Sequence, residues 1–170
     1  RMRGPLSARL SVVAFSLLFA ALPAMASANL IQNPGLEAAG TAVPAGWNKV
    51  SWGSPVPTFT YPVVGNNSTK GASITLGANS TGDARWQHAA VSVTPGATYT
   101  FSAWYKSDVA TEIDVEYTKS TGGFAYDSIV DIVPVSTTWK QVTATFVIPS
   151  GVTNGSAFSP KSNGIRIDKV

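Results

Sequence analysis

The stretch FSAWYKSDVATEIDVEYTKS, residues 101–120, decides the fold because it alternates apolar and polar residues in two successive runs. Successive side chains of a β-strand point to opposite faces, so each run predicts a strand with one buried face. The two runs together indicate two strands that contribute to one core. The apolar members are Phe101, Ala103, Tyr105, Ile113, Val115 and Tyr117.

The polar members of the two runs form a second set. We expect them to share the outer face of neighbouring antiparallel strands, where cross-strand side chains interact. That face would carry a tryptophan, a lysine and three carboxylates, and it is either an ordinary solvent-facing surface or a ligand-binding surface. Its members are Ser102, Trp104, Lys106, Glu112, Asp114 and Glu116.

The rest of the chain after Ala28 repeats the same character. It is rich in Val, Thr, Ser, Gly and aromatic residues, and turn signals recur about every ten residues. We therefore predict an all-β domain, a two-sheet antiparallel β-sandwich or a barrel, over residues 29–170. The predicted strands are 29–32, 46–52, 57–61, 72–76, 85–93, 98–107, 111–118, 124–132, 138–148 and 163–168. The segment 150–162 is polar and contains Pro160, and the sequence does not indicate how it folds.

The first 28 residues differ from the rest. A basic start is followed by the apolar run LSVVAFSLLFAALPAM and the small residues Ala26, Ser27 and Ala28, which predicts a helical secretory signal peptide cleaved after Ala28. A retained membrane anchor is the alternative, and we expect no membrane contact after cleavage. Because the chain starts with Arg1 and stops at Val170 in mid-strand, we expect a C-terminally truncated piece of a longer protein.

Charge and cysteine content narrow the function classes. Three of the 12 Lys and Arg precede residue 28 and all nine acids follow it, so residues 29–170 carry no net charge. The remaining basic residues are spread singly, which argues against a nucleic acid as partner. Without cysteine, the fold relies on packing and on any bound metal ion. With His88 as the single histidine, a zinc site with two or three histidines is excluded.

Four blocks of the chain resemble carbohydrate-binding modules of the family 4/9 type, in the same order as in that family. The resemblance spans nearly all of residues 29–170, and it implies a galactose-binding-like jelly roll that holds a glycan on the outer face of one sheet. The blocks are NLIQNPGLEAAGTAVPAGW at 29–47, VSVTPGATYTFSAWYKSD at 91–108, STTWKQVTATFVIP at 136–149 and NGIRIDKV at 163–170.

The resemblance directs attention to the aromatic residues, because an indole stacks on the apolar face of a pyranose. Trp104, flanked by Lys106, Asp114 and Glu116, is the first candidate sugar subsite. Trp86 is a second candidate platform, with Arg85, Gln87 and His88 as polar neighbours. Trp52 is a third, and a core position is the alternative for both tryptophans. Trp47 and Trp139 are predicted to lie in the core.

The family resemblance also implies a structural calcium site. Glu37 and Asp168 match the positions of the family's carboxylate ligands, and the turn Thr69-Lys70-Gly71 would add backbone carbonyl oxygens, chiefly that of Lys70. Calcium prefers several hard oxygen ligands, so the set is chemically reasonable. The alternative is that these carboxylates lie at the surface and pair with Lys70 or Lys169.

Together these features predict a secreted or cell-surface bacterial domain that binds a polysaccharide or oligosaccharide without catalysis. A catalytic domain is expected on its C-terminal side in the full-length protein. Two alternatives stay open: an extracellular structural or adhesion domain without sugar binding, and a small glycosidase. The glycosidase would use carboxylates among Glu112, Asp114 and Glu116, whose spacing of about 7 Å per step along a strand suits an inverting mechanism.

Overall fold

The chain folds as an all-β sandwich. The computed structural model describes residues 28–54, 56–78, 81–158 and 166–168, and the expected signal peptide falls almost entirely outside these ranges. No helix of the described residues is long and apolar enough to cross a membrane. The strands are β1 (Trp47–Ser54), β2 (Pro57–Val63), β3 (Gly71–Leu76), β4 (Thr81–His88), β5 (Val91–Ser92), β6 (Thr98–Ser107), β7 (Thr111–Lys119), β8 (Phe124–Val133), β9 (Ser136–Val147), β10 (Val152–Phe158) and β11 (Arg166–Asp168).

The strands form two layers. One layer is the five-stranded sheet with the order β2-β3-β11-β6-β9, in which every pair is antiparallel. The other contains the four-stranded sheet β5-β10-β7-β8. The β1-β4 pair extends this second layer, since β4 lies against β10 and leads directly into β5, which pairs with β10.

The core lies between the layers and contains both apolar sets of the 101–120 stretch. Phe101, Ala103 and Tyr105 are buried on β6, and the three apolar residues of β7 are buried to 4% exposure or less. The alternation therefore predicted the inward faces of these two strands correctly. The other members of the core cluster are Leu36, Trp47, Ala72, Ile74, Ala84, Trp86, Val133, Ile148 and Val152.

Most predicted strands are confirmed, and the predicted bounds of β6 match the structure. The strand expected at 29–32 is wrong, because side chains of asparagine fold this segment into turns. Asn29 Oδ1 accepts a hydrogen bond from the Ile31 N–H at 3.0 Å. The Asn33 amide group donates to the carbonyl oxygens of Ala38 and Ala45 and accepts from the Ala38 N–H. Local side-chain hydrogen bonds thus replace a strand ladder here.

The predicted strand at 85–93 is interrupted at residues 89–90, which separates β4 from β5. A strand that the sequence did not predict, β10, occupies the polar 150–162 segment and pairs with both β5 and β7. Its Val152 is buried, and Gly155 lies under Tyr117, whose ring would be 3.6 Å from an added Cβ.

Tyr117 also supplies a test of the core. It is 1% exposed, and its hydroxyl finds no hydrogen-bond partner in the described part of the chain. Burial, and secondarily the charge of Asp127, raise the pKa of Tyr117 to about 12. An unfolded tyrosine loses its proton near pH 10. The protonated hydroxyl therefore contributes stability that is complete below pH 10 and is lost as the pH rises toward 12.

We predict that Tyr117→Phe keeps or raises the free energy of unfolding at pH 7, because it removes a buried polar group that lacks a partner. It should also remove the part of the stability loss between pH 10 and 12 that Tyr117 causes. Tyr105→Phe is the matched control: Tyr105 is also buried, but its hydroxyl donates to the Pro134 carbonyl at 3.0 Å. That variant should lose about 1 kcal/mol. Urea unfolding at pH 7 and between pH 10 and 12 measures the free energy of unfolding of each variant. Equal losses of stability in Tyr117→Phe and Tyr105→Phe would contradict the prediction.

Candidate functional site

The predicted mixed polar face does not exist as one surface. β6 and β7 belong to different sheets, so they are not neighbours as expected. The short connection at 108–110 carries the chain from one layer to the other, and the apolar sets of both strands then face each other across the core. Their polar sets consequently point away from the core in opposite directions. Trp104 and Lys106 lie on one outer face, and Asp114 and Glu116 lie on the other.

The first outer face, here called the acidic face, belongs to the layer that contains β1, β4, β10, β7 and β8. Cross-strand register assigns its members, because residues opposite each other in an antiparallel pair share a face. It holds four carboxylates and one guanidinium. Its members are Asn48, Val50, Trp52, Asp83, Arg85, Gln87, Glu112, Asp114, Glu116, Thr118, Phe124, Tyr126 and Ser128.

A buried arginine organises the centre of the acidic face. Arg85 is 7% exposed, and its guanidinium donates to Asp83 Oδ2 at 2.8 Å, to Gln87 Oε1 at 2.9 Å and to Glu116 Oε2 at 3.4 Å. The Gln87 amide in turn donates to Glu116 Oε1 at 3.1 Å. Paired and hydrogen-bonded charges are the form in which ions tolerate burial. The cluster therefore fixes the side chains that connect β4 with β7.

Glu116 connects this cluster with an aromatic residue at the edge of the sheet. Tyr126 on β8 donates its hydroxyl to Glu116 Oε2 at 2.9 Å while its side chain stays 59% exposed. Desolvation, followed by the hydrogen bond to Glu116, raises the pKa of Tyr126, so the phenol remains a donor at neutral pH. Because Gln87, Arg85 and Tyr126 engage both oxygens of Glu116, this carboxylate holds a ring in place.

Trp52 provides an aromatic surface at the opposite edge of the acidic face. It lies near the end of β1, opposite Asp83 of β4, and it is 73% exposed. The core alternative for Trp52 is thus wrong. Beside it, Asp83 Oδ1 is buried without a hydrogen-bond partner among the described residues.

Trp86 cannot serve as a platform, and this prediction is wrong. The residue is 3% exposed and points into the core, on the face of β4 opposite to Arg85 and Gln87. Its indole N–H donates to the Ser73 carbonyl at 3.1 Å, and its ring meets Phe59 edge-on. Gln87 does lie on the predicted outer side, where it belongs to the Arg85 cluster.

The second outer face, here called the Lys106 face, belongs to the five-stranded layer. Trp104 and Trp139 are both half-buried there and stand outside the core cluster of the described residues. The core position predicted for Trp139 is therefore wrong, whereas that of Trp47 is confirmed. The Lys106 ammonium lies 5.0 Å from the centre of the Trp139 ring. Other outward residues of this face are Thr58, Thr60, Ser73, Thr75, Thr98, Thr100, Ser102, Gln141, Thr143 and Thr145.

The residues expected to bind calcium meet only in part. The Glu37 carboxylate accepts hydrogen bonds from the hydroxyl and N–H of Thr69 and from the N–H of Lys70. The Thr69 hydroxyl, and then these backbone donors and the Lys70 charge, lower the pKa of Glu37. The Lys70 ammonium donates to the Glu37 carbonyl, not to its carboxylate, at 2.6 Å.

The group formed by Glu37, Thr69 and Lys70 is here called the Glu37 corner. Asp168 comes near it through the position of its backbone. Ile167 of β11 pairs with Ala72 of β3, so the next position, Asp168, comes level with Gly71, beside Lys70. The conformation of the Asp168 side chain lies outside the described part of the structure. Among the described residues, no three His, Asp or Glu come close enough together to hold a metal ion.

A family comparison identifies the class of protein. The CBM_4_9 family model, described as a carbohydrate binding domain, matches residues 28–158. The chain therefore belongs to this family of carbohydrate-binding domains, as the four sequence blocks indicated, and non-catalytic polysaccharide binding is the function of that class. No curated protein matches the chain.

Solved structures share the fold. A C-terminal family 22 carbohydrate-binding module of Clostridium thermocellum Xyn10B aligns with TM-score 0.58 at 18% identity, covering 84% of this chain and 93% of that one. The CBM22-1-GH10 modules of the same organism's endo-1,4-β-D-xylanase 10B, complexed with xylohexaose, align with TM-score 0.54 at 19% identity over 72% of this chain. The enzymatically active domain of bacteriophage CBA120 tailspike protein 4 aligns with TM-score 0.56 at 17% identity over 74% of this chain.

Two of these proteins are much longer than the present chain. The chain spans 24% of the xylanase and 19% of the tailspike protein.

The sequence analysis did not single out Asp83 and Tyr126 of the acidic face. The signal was present, because DARWQ at 83–87 and FAYDS at 124–128 alternate in the same way as the 101–120 stretch. In DARWQ, the candidate platform Trp86 points into the core, and its neighbours Arg85 and Gln87 are the side chains that point outward.

Gly82 controls the position of Trp52. It has a φ of +94°, and a Cβ added there would lie 2.0 Å from the Trp52 carbonyl oxygen. Gly82→Ala therefore combines backbone strain with a backbone clash, and we expect a loss of more than about 2 kcal/mol of unfolding free energy. Gly122→Ala is the control, since Gly122 has a similar φ of +91° in open space. It should lose about 1 kcal/mol. Thermal unfolding compares them, and equal losses would show that the contact with Trp52 is unimportant.

Proposed function

We propose that the acidic face is the carbohydrate-binding surface of this domain. The observation that carries the proposal is the Arg85 cluster, a fixed polar centre with exposed aromatic rings on both sides. Tyr126 and Trp52 flank it at the two edges of the layer. A sugar chain that crosses the strands would meet an aromatic ring, then hydrogen-bonding groups, then a second ring.

Each part of the face would have its own role in binding. The indole of Trp52 and the phenol ring of Tyr126 would stack on the apolar faces of pyranose rings, which costs little conformational entropy because aromatic side chains have few rotatable bonds. The partly exposed carboxylate of Asp114 would accept hydrogen bonds from hydroxyl groups. Gln87 and Glu116, assigned to sugar contact in the sequence analysis, would instead position the rest of the face.

The charge of the surface favours a neutral glycan. Four carboxylates and one guanidinium leave an excess of negative charge, which would repel uronic acids and sulfated sugars. With two stacking rings and a few charge-assisted hydrogen bonds, we expect dissociation constants between micromolar and millimolar, or roughly 4–8 kcal/mol.

The same geometry argues against the glycosidase alternative. An inverting glycosidase needs one carboxylic acid and one carboxylate on opposite sides of the scissile bond, with water between. Glu112, Asp114 and Glu116 lie along one strand on one face, and Glu116 is held by three donors. We propose that the chain itself is not an enzyme and serves an attached protein.

We further propose that the domain is exported and lies next to a catalytic module in the full-length protein. The basic and apolar start of the sequence supports export. The xylanase neighbour, in which a family 22 module accompanies a GH10 module, is one precedent for such an arrangement.

Calcium binding at the Glu37 corner is also proposed. The donor set of the Glu37 carboxylate, the Lys70 carbonyl and Asp168 consists of oxygen alone, which is the type of ligand that calcium prefers. The bound ion would neutralise the two carboxylates and would join the start of the domain to β3 and β11. The Lys70 ammonium, at the Glu37 carbonyl, already supplies part of the positive charge.

Binding to neutral polysaccharides tests the assignment of the face. Affinity electrophoresis in gels that contain xylan, mixed-linkage β-glucan or galactomannan should show retention. Trp52→Ala and Tyr126→Ala should each weaken retention at least about tenfold, because each removes a stacking ring. Tyr126→Phe keeps the ring and should lose less.

Trp104→Ala is the matched control for this experiment, since Trp104 lies on the other sheet. It should leave retention by neutral polysaccharides unchanged. Loss of binding in Trp104→Ala with full binding in Trp52→Ala would overturn the assignment. No retention by any polysaccharide, from a folded protein, would favour the structural or adhesion alternative.

For calcium, we expect a rise in the melting temperature of a few degrees on adding millimolar Ca²⁺ to protein treated with a chelator, because the ion binds only the folded state. Glu37→Gln should remove this rise. Asp131→Asn removes an exposed carboxylate from β8 in the other layer and should keep it. A melting temperature that does not respond to Ca²⁺ would show that the Glu37 corner works without the ion.

A further inference from the structure

We propose that the Lys106 face is a second binding surface, and that its ligand is an acidic glycan, a chain containing uronic acid residues. The proposal concerns a different sheet and different residues from those of the acidic face. It rests on the outward-facing, half-buried indole of Trp104, on the position of the Lys106 ammonium and on the charge of the two faces.

The arrangement of Trp104, Lys106 and Trp139 is the first observation. Trp104 pairs with Gln141 across β6 and β9, and both side chains point outward. Lys106, two residues further along β6, places its ammonium over the ring of Trp139. Such a cation–π contact restricts the motion of a flexible lysine side chain. The ammonium is thus held on the same face as the indole of Trp104, one outward position away.

The second observation is that Trp104 has no structural task in the core. Its neighbours Ala103 and Tyr105 are buried in the core cluster. Trp104 is half-buried and does not belong to the core cluster formed by the described residues. Serine and threonine occupy most of the other outward positions on β2, β3, β6 and β9. Two tryptophan rings, Trp104 and Trp139, surrounded mostly by hydroxyl-bearing side chains suit a sugar ring better than they suit an apolar protein surface.

The third observation is charge. Lys106 is the one charged residue among the described outward side chains of this face, and no ion pair of the described residues involves it. The described outward side chains therefore give this face one positive charge, whereas the acidic face carries an excess of negative charge. The two faces should thus select glycans of opposite charge character.

In the proposed complex, the indole of Trp104 stacks on one pyranose ring and the Lys106 ammonium pairs with the carboxylate of a uronic acid residue. The Gln141 amide, beside the indole, offers a donor and an acceptor for ring hydroxyl groups. Trp139 acts through Lys106 and is a positioning residue.

Affinity electrophoresis in gels containing polygalacturonate tests the proposal, with gels containing neutral xylan and blank gels run in parallel. We expect retention by polygalacturonate that weakens when the salt concentration rises. Trp104→Ala should weaken it at least about tenfold. Lys106→Gln should weaken it about fivefold. Lys119→Gln is the matched control, because it removes the same charge from an exposed position on β7 in the other layer, and it should leave retention unchanged.

Trp52→Ala separates this proposal from the proposed function. It should abolish retention by neutral glycans and leave retention by polygalacturonate unchanged. Circular dichroism shows which variants are folded, and if Trp104→Ala fails to fold, Trp104→Phe and Lys106→Gln keep the test valid. Absence of retention by polygalacturonate, equal losses in Lys106→Gln and Lys119→Gln, or loss of polygalacturonate binding in Trp52→Ala would each overturn the second surface.

Discussion

The burial of two alternating apolar sets against each other determines the rest of this structure. Six side chains of β6 and β7 face one another across a single core, and the burial of such groups is the main favourable term in folding. Once these strands lie in opposite layers, each polar set must point outward on its own side. The chemistry of the 101–120 stretch is therefore divided between two surfaces by the same contacts that stabilise the sandwich.

On the acidic side, that division creates the need for a buried arginine. β4 and β10 are not joined by a strand ladder, so side chains must connect the β1-β4 pair with the rest of the layer. Arg85 does this by reaching Glu116 on β7, and Asp83 and Gln87 accept hydrogen bonds from two more of its N–H groups. Removing one partner would leave a buried charge without compensation, which is far more costly than the loss of an exposed pair. The connection of the β1-β4 pair to its layer and the proposed binding surface therefore depend on the same Arg85 guanidinium.

The sequence was sufficient for features that depend on local periodicity. It predicted the sandwich, the bounds of most strands and the inward residues of β6 and β7, since a period of two is a property of the strand itself. It failed for features that depend on which strands are neighbours. For this reason it placed Trp104 and Glu116 on the same face, although they lie on opposite faces of the sandwich. Trp86 and Trp139 were assigned to the wrong environments for a related reason: an aromatic residue in a strand can face either side. β10 escaped prediction because its sequence is mostly polar or small and its pairing with β5 and β7 is long-range, which no single window of sequence contains.

The opposite directions of the two outer faces also constrain how the domain could act on solid material. A flat substrate can meet one face at a time, because the other points away from it through the full thickness of the sandwich. Two weak contacts on one domain would then give no gain in avidity on a single surface, since the geometry forbids simultaneous engagement. They would instead allow one domain to hold two separate chains together, as a cross-link does in a gel. In a matrix that contains both neutral and acidic polysaccharides, a domain with both surfaces would connect the two kinds of chain.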